Sequence, residues 1–309
     1  MIDKISISIP HFRSKDSLTS LLRGLEAQEL KYLKKTELII INDDIENLFP
    51  TYNNNDFQNV IIVDQENRGV AAARNTAIKI AAGEILIFLD QDCIPQKNWL
   101  KNIIVAFETN PAIDALGGCI EPLRKKSLVN EYLSYKNHLG KPIVDQQTNK
   151  IITLITANSA YKTKILRSIS GFNERIFDKS SHGGEDIDLT YRLNMNNYKI
   201  AYDKSVKVLH AYPDRVVDIF FKYANYGKGV RLFCHAHHLD PKKIRQPNFG
   251  YLAFFKYFIN APKHFLLSYS KFKTIRPKRK IFIYSLFDLI RYFGHGYGYF
   301  KSNYKRKII

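Results

Sequence analysis

Two acids one residue apart, Asp90 and Asp92, follow a short apolar run in "GEILIFLDQDCIPQKNWL". Carboxylates so close repel each other, and a cation beside them is the usual compensation. Their oxygens suit a hard ion such as Mg2+ or Mn2+, which keeps part of its shell for substrate phosphates. A second Asp-x-Asp, Asp186 and Asp188 in "GGEDIDLTYRL", stands in a different setting. Acids in a first helical turn favour the helix dipole for structural reasons alone, so that pair by itself argues no metal. Its neighbour Glu185 adds a further carboxylate, and adjacent acids raise one another's pKa, which suits a base working near neutral pH. The preceding Gly183 and Gly184 would let the backbone approach a substrate closely.

The elements that must position these side chains are legible up to about residue 120. "KISISIP", "ELIIIND", "NVIIVDQ" and "EILIFLD" read as strands, the first closed by Pro10. "DSLTSLLRGLEAQEL" has helical spacing with Asp16 or Ser17 placed to cap it, and "GVAAARNTAIKIAAG" predicts a helix with Gly83 as a left-handed C-cap. Continuous apolar strands alternating with helices predict an α/β fold whose mostly parallel central sheet is covered on both faces. Ligands of such sheets collect at the carboxyl ends of the strands. Pro10, Asn42-Asp43-Asp44 and Asp90-Gln91-Asp92 all fall at such ends. Residues 121–150 are polar and poorly periodic, which predicts a long loop. Regular structure is expected to resume at "KIITLITANSAYKTKILRSI", then a helix from "GGEDIDL" and a strand closing at His210. From about Pro213 the pattern is helical, aromatic and basic.

Composition narrows the classes. With 309 residues, 45% of them hydrophobic, the chain can bury a substantial core and is not a disordered one. Three widely spaced cysteines suggest neither a disulfide framework nor a zinc site, and a reducing compartment is expected. "MIDKISISIPHF" lacks the features of a signal peptide, so the expected location is the cytoplasm. The net charge is +18, and residues 251–309 hold thirteen Lys or Arg against the single acid Asp288. No apolar run there reaches the roughly 18 residues needed to span a bilayer. A basic, aromatic, helical extension without a span predicts peripheral contact with an anionic membrane, at the inner face of the cell membrane. Nucleic acid would feel the same charge, and a solvated basic face is the plain structural alternative.

The succession "ISISIP", "ELIIINDD", "ENRGVAAARNTAIKIAAGEILIFLDQDCIPQKNWL", "GFNE", "GGEDIDLTYRL" and "VLHAY" resembles the family-2 glycosyltransferases of GT-A fold, over roughly residues 4–215. The resemblance implies a Rossmann-like nucleotide-sugar half at 1–120 and an acceptor half at 121–215 of one domain, followed by the extension at 216–309. It implies that Pro10, His11, Phe12 and Asp43 face the nucleotide, Asp43 accepting from the base, and that Asn67, Gly69 and Arg74 line the same pocket. Asp90, with Gln91 beside it, would touch the ribose or a metal-bound water. Asp92 would ligate the Mn2+ or Mg2+ that bridges the two phosphates, with Asp90 and His210 as further candidates. Asp186 would be the general base, and Glu185 would orient acceptor or base. The reaction implied is inverting transfer of one sugar from a nucleotide-diphosphate donor, UDP-linked, to a hydroxyl of a glycan or lipid-linked acceptor.

Departures from the family pattern bear on this. Its Asp-Asp-Gly-Ser reads Asn42-Asp43-Asp44-Ile45 here, which leaves open which of these meets the base, and its Tyr-Asn reads His11-Phe12. No Gln-x-x-Arg-Trp occurs, since Trp99 is the only tryptophan, which argues against a processive synthase. A nucleotidyltransferase would want a glycine-rich phosphate loop after the first strand, and "PHFRSKDSL" has no glycine. A non-catalytic binder of nucleic acid or another anionic surface is the alternative from another class, and its binding would survive loss of Asp92 and Asp186. Several tempting residues read as structural. Trp99 reads as core, "HAHH" at 235–238 as a polar loop, and Arg124, Lys125 and Lys126 either steer a diphosphate or form a solvated loop. His182 beside the glycines stays a lone histidine.

Overall fold

A computed structural model describes residues 2–301 apart from 48–51, 53, 124–126, 137–139, 146, 182, 240–250 and 276, and describes Lys15 and 251–257 by backbone only. Arg124, Lys125, Lys126, His182 and the last eight residues of the basic extension therefore lie outside the described residues. The chain divides into two compact units. One comprises Met1–Arg124, Asn137–Ser180 and Glu185–Ala211, and the other Lys125–Lys136, Ser181–Gly184 and Tyr212–Ile309.

The first unit is built on a sheet. In chain order it runs β1 (Ile5–His11), α1 (Lys15–Glu26), a single turn α2 (Leu30–Leu33), β2 (Thr36–Asn42) and β3 (Asn59–Asp64). Then come α3 (Val70–Ile80), β4 (Ile85–Leu89), β5 (Cys93–Pro95), α4 (Trp99–Thr109) and β6 (Ala115–Pro122). The segment predicted as a long loop holds a helix, α5 (Leu128–Lys136), which belongs to the second unit. Its Val129, Asn130, Tyr132 and Leu133 are buried, a pattern too short for periodicity to reveal. The sheet unit resumes with the ribbon β7 (Ile143–Val144) and β8 (Ile151–Thr153), then β9 (Asn158–Lys162), α6 (Thr163–Ser168), α7 (Glu185–Met195) and β10 (Ile200–His210).

The main sheet has the order β3-β2-β1-β4-β9-β6-β10-β5. Parallel pairing joins β3, β2, β1 and β4, and also β6 and β10, while β9 and β5 run antiparallel to their neighbours. Every residue of β2 and β4 is buried, which is why β4 and the Leu38–Ile41 stretch of β2 are continuously apolar rather than alternating. Alanines 71, 72, 73 and 77 let α3 lie close over β1 and β2. Gly83 does not take the left-handed cap expected of it. α3 ends at Ala81, and a side chain at 83 would strike the backbone of Ser6, so glycine is needed there for close approach to β1. Helix α1 likewise starts ahead of both predicted caps, with Ser14 at its N-cap and Asp16 in its first turn.

The second unit is helical, with α5, α8 (Val216–Ala236), α9 (Tyr251–Lys271) and α10 (Arg279–Lys301). Gly227, Gly294 and Gly298 let α8 and α10 touch backbone to backbone. Asp288, the acid that interrupts the apolar run of α10, is buried. It accepts from Tyr132 of α5, from Ser268 of α9 at 2.9 Å and from Arg291 at 2.8 Å, with Lys136 at 3.2 Å. The charge is thus a tie between three helices. Of "HAHH", expected as a loop, His235 and Ala236 end α8, His237 is its C-cap, and His238 stands in the turn beyond with a φ of 51°.

Candidate active site

Strand register brings the polar tips together. His11 of β1 pairs with Asn42 of β2, and Asn42 with Asp64 of β3. The next residue, Asp43, is 5% exposed. Its carboxylate accepts from Gln65 Nε2 at 2.7 Å and from the backbone N–H groups of Arg68 at 3.0 Å and Gly69 at 2.8 Å. Asp43 therefore moulds the loop that launches α3, and one acceptor direction on Oδ2 is left for a donor from outside. Gly69 has a φ of 92° and leaves no room for a side chain against the backbone of Lys179, so only glycine serves there. Asn67 stands exposed on this loop. Asp44 is occupied, accepting from Arg13 Nε at 3.2 Å and Asn47 Nδ2 at 3.0 Å.

Gln91 clamps the ends of β1 and β4 together. Its amide accepts from Phe12 N and donates to Phe12 O, each at 3.0 Å. Pro10 and Phe12 remain partly exposed beside it, while His11 is buried.

The next layer is a buried ion cluster. Arg74 of α3 is 2% exposed and lies 5.5 Å from the ring of Phe172. Its Nη2 donates to Asp90 Oδ1 at 2.8 Å and its Nη1 to Glu185 Oε1 at 3.1 Å. Among the described residues, Arg74 Nε and Glu185 Oε2 are buried and have no hydrogen-bond partner. Asp186, next along α7, can be reached by solvent yet is densely surrounded. Burial, and then the charge of Glu185, push its carboxyl up to about 7, while Arg74 pulls the other way. The second acid pair thus divides by role. Asp188 is fully buried in an ion pair with Arg192 at 2.8 Å and is structural.

A third group forms where β5 turns back along β10. Antiparallel register sets His210 opposite Cys93. Asp92 Oδ1 lies 3.4 Å from His210 Nε2, and ligand atoms of Asp92, Cys93 and His210 all fall within 4.8 Å of one another. His210 Nδ1 sits 2.7 Å from the carbonyl of Ala211. A carbonyl only accepts, so Nδ1 is the donor of that bond and Nε2 is the ring nitrogen that faces Asp92. A carboxylate oxygen and an imidazole nitrogen this close are placed to ligate one divalent ion together. Carboxylate with imidazole is a donor set within reach of Mn2+, whereas Mg2+ favours oxygen alone. Asp90, expected beside Asp92 on the metal, turns to Arg74 instead, because the buried guanidinium needs a counter-charge.

The glycines before α7 both have positive φ, 120° at Gly183 and 101° at Gly184. A side chain at 184 would strike the backbone of Gly229 in α8, so glycine is needed there for packing within the helical unit.

Other residues carry the geometry without having been singled out. Asn75 donates to Phe172 O at 2.8 Å and Glu174 Oε1 at 2.7 Å, and accepts from Phe172 N at 2.8 Å, pinning "GFNE" onto α3. Asn158 accepts from Trp99 Nε1 at 2.9 Å and donates to Cys119 O and Val206 O, so Trp99 is core, as expected. A polar Arg-Asn pair inside an alanine-rich helix is the one signal that could have exposed Asn75.

Comparison with known proteins identifies the family of this sheet and its strand-end acids. Residues 6–170 match the model of glycosyl transferase family 2, more than half of the chain, and the chain belongs to that family. It is 26% identical over 167 residues to the pre-mycofactocin glycosyltransferase of Mycobacterium tuberculosis, covering 52% of this chain and 34% of that protein. The chain spans about a third of the length of that relative. It is 24% identical over 235 residues to the glycosyltransferase AglE of Haloferax volcanii, covering 73% and 72% of the two chains. Its fold is GT-A-like: a mannosyltransferase from Pyrobaculum calidifontis, solved with GDP-Man and Mn2+, superposes with a TM-score of 0.58 at 16% identity over 93% of this chain and 85% of that one.

Proposed function

We propose that this chain is a metal-dependent, inverting glycosyltransferase that moves a single sugar from a nucleotide-diphosphate donor to an acceptor hydroxyl. The observation that carries the reading is Arg74, which ties Asp90 at the donor end of the sheet to Glu185 at the start of α7, beside Asp186. One buried cation thereby fixes the donor-side acid and the base-side acids in a single frame.

Within this reading Asp186 takes the proton from the acceptor hydroxyl. Its raised pKa makes it a better general base than an ordinary carboxylate, taking the hydroxyl proton as the new C–O bond forms, while still ionised above neutrality. Glu185, held by Arg74, orients it. Asp43, Asn67 and Gly69 shape the loop that meets the nucleotide, with Pro10, His11 and Phe12 on the neighbouring strand end. Asp92 and His210 are the residues that would hold the ion, which when bound offsets charge building on the departing diphosphate by several kcal/mol. The donor is read as UDP-linked, and the mannosyltransferase of like fold was solved with GDP-Man, so both nucleotides belong in the test. The acceptor is read as a glycan or lipid-linked sugar in cell-envelope or glycolipid synthesis, met at the inner face of the membrane.

Hydrolysis and transfer from a panel of UDP- and GDP-sugars, with Mn2+, Mg2+ or EDTA, test the reading on wild type, Asp92→Ala and Asp186→Asn. Turnover of one donor that needs the ion and is lost in both variants supports it. The absence of both turnover and ion-dependent nucleotide binding across the panel sinks it.

A further inference from the structure

Helix α9 turns an apolar face to solvent. Phe258, Ile259, Leu266 and Leu267 are 54, 75, 67 and 53% exposed, whereas Ser268 and Phe272 on the other side of the helix are buried. At 100° per residue Ile259, Lys263, Leu266 and Ser270 fall on one outward stripe, opposite the stripe of Ser268 and Phe272. Phe282 of α10, 53% exposed, extends the patch, its ring 5.6 Å from that of Phe265. Single exposed leucines are ordinary, but contiguous apolar side chains on neighbouring helices mark a surface that meets something.

Charge identifies what it meets. Lys263, Lys271, Lys278 and Arg279 are exposed along the same helix and the turn that follows. Residues 251–309 contain one acid, Asp288, and it is buried among Tyr132, Ser268 and Arg291. A second copy of this face would oppose cation to cation, which disfavours self-pairing. Nucleic acid would use the lysines and leave the aliphatic side chains idle. The interface of an anionic bilayer uses both, taking apolar groups to the acyl boundary and meeting lysines with lipid phosphates. Among the described residues no helix is long and apolar enough to cross a membrane, so the geometry is that of a helix lying in the surface.

We propose that the face of α9 and the start of α10 bearing Ile259, Leu266 and Phe282 docks onto an anionic bilayer surface. This deepens the reading of a membrane-borne acceptor, and its test does not depend on transfer.

The test is co-flotation of the full chain with vesicles of phosphatidylcholine alone or mixed with phosphatidylglycerol, at low and high salt. The expected result is binding at least about tenfold stronger to the anionic vesicles, weakened by salt. Ile259→Glu combined with Leu266→Glu should lower that binding by about tenfold or more, since two charges would enter the acyl boundary. Its melting temperature and its donor hydrolysis in solution should match wild type. If the double variant melts early, Leu266→Gln alone carries the comparison. Equal binding to neutral and anionic vesicles, binding indifferent to these variants, or loss of self-association in place of lipid binding would each overturn the proposal. A chain that floats but turns over no donor keeps the docking surface and refutes the transferase; a chain that transfers sugar but never floats does the reverse.

Discussion

Replacing Glu185 by Gln separates the two effects that raise the carboxyl of Asp186, the proposed base. Asp186 sits at about 7 against an ordinary 3.8, with burial the first cause and the charge of Glu185 the second. Those three units correspond to about 4 kcal/mol against the ionised form. The substitution keeps an acceptor for Arg74 Nη1 but removes the neighbouring negative charge. Losing that like charge should lower the Asp186 carboxyl from about 7 toward the ordinary range, by roughly one to two pH units. A base works unprotonated, hence wild-type kcat/KM should rise with pH through about 7, and the variant should reach its plateau one to two units earlier. The assay is kcat/KM against pH with saturating ion. If Glu185 merely positions the acceptor, the variant loses activity by one factor at every pH and its limb stays put. A limb unmoved in Glu185→Gln, or one that persists in whatever activity Asp186→Asn retains, would refute the assignment.

The same acid should be visible in stability. Folded Asp186 holds its proton up to about 7 whereas the unfolded chain releases it near 3.9, so stability should fall from about pH 4 to about 7 and then level. Asp186→Asn should flatten that decline and raise stability at pH 8 by about 2 kcal/mol after allowing for its partial solvent access, read by urea unfolding. Arg74→Met should cost about 3–5 kcal/mol by stranding Asp90 and Glu185, and Arg74→Lys, lacking the fork, should recover only part of that in the same measurement. Asn75→Ala removes three hydrogen bonds, two of them buried, and should lower stability by about 2–4 kcal/mol, seen as a fall in melting temperature. His210→Ala should weaken Mn2+ binding about tenfold, equal to about 1.4 kcal/mol, in an electron paramagnetic resonance titration while leaving the melting curve nearly unchanged.

What could be read without coordinates was whatever depends on neighbours in the chain. Buried strands announce themselves in apolar runs such as Leu38–Ile41 of β2 and Ile85–Leu89 of β4, and β1 in its alternating isoleucines, so these strands and the acids that follow β2 and β4 are legible in the sequence. α5 was not, because its nine residues bury themselves through Tyr132 and Asp288, 156 positions apart, and no local period records that pairing. Partner choice at the site was hidden for the same reason. Asp90 and Asp92 look equivalent in sequence, yet β5 reverses between them and β10, sending one to Arg74 and the other to His210. Glycines misled where they were read for backbone freedom. Gly83 and Gly184 exist because another backbone lies against them, a fact of packing rather than of φ preference alone.

Charge around Arg74 dictates what the site still needs. The guanidinium holds Asp90 on one nitrogen and Glu185 on another, with Asp186 as a third acid beside them. Above about pH 7 that is three negative charges against one positive, and Arg74 has no full charge left to lend a diphosphate. A nucleotide-diphosphate donor brings further negative charge to the same strand ends. Its binding, and not only its turnover, should therefore depend on an ion at Asp92 and His210. Nucleotide affinity measured with EDTA should fall at least about tenfold, and Asp92→Ala should show the same weak binding whether or not Mn2+ is present. If affinity is instead unchanged by EDTA, the compensating charge comes from elsewhere in the chain, and Asp92 with His210 is no metal site.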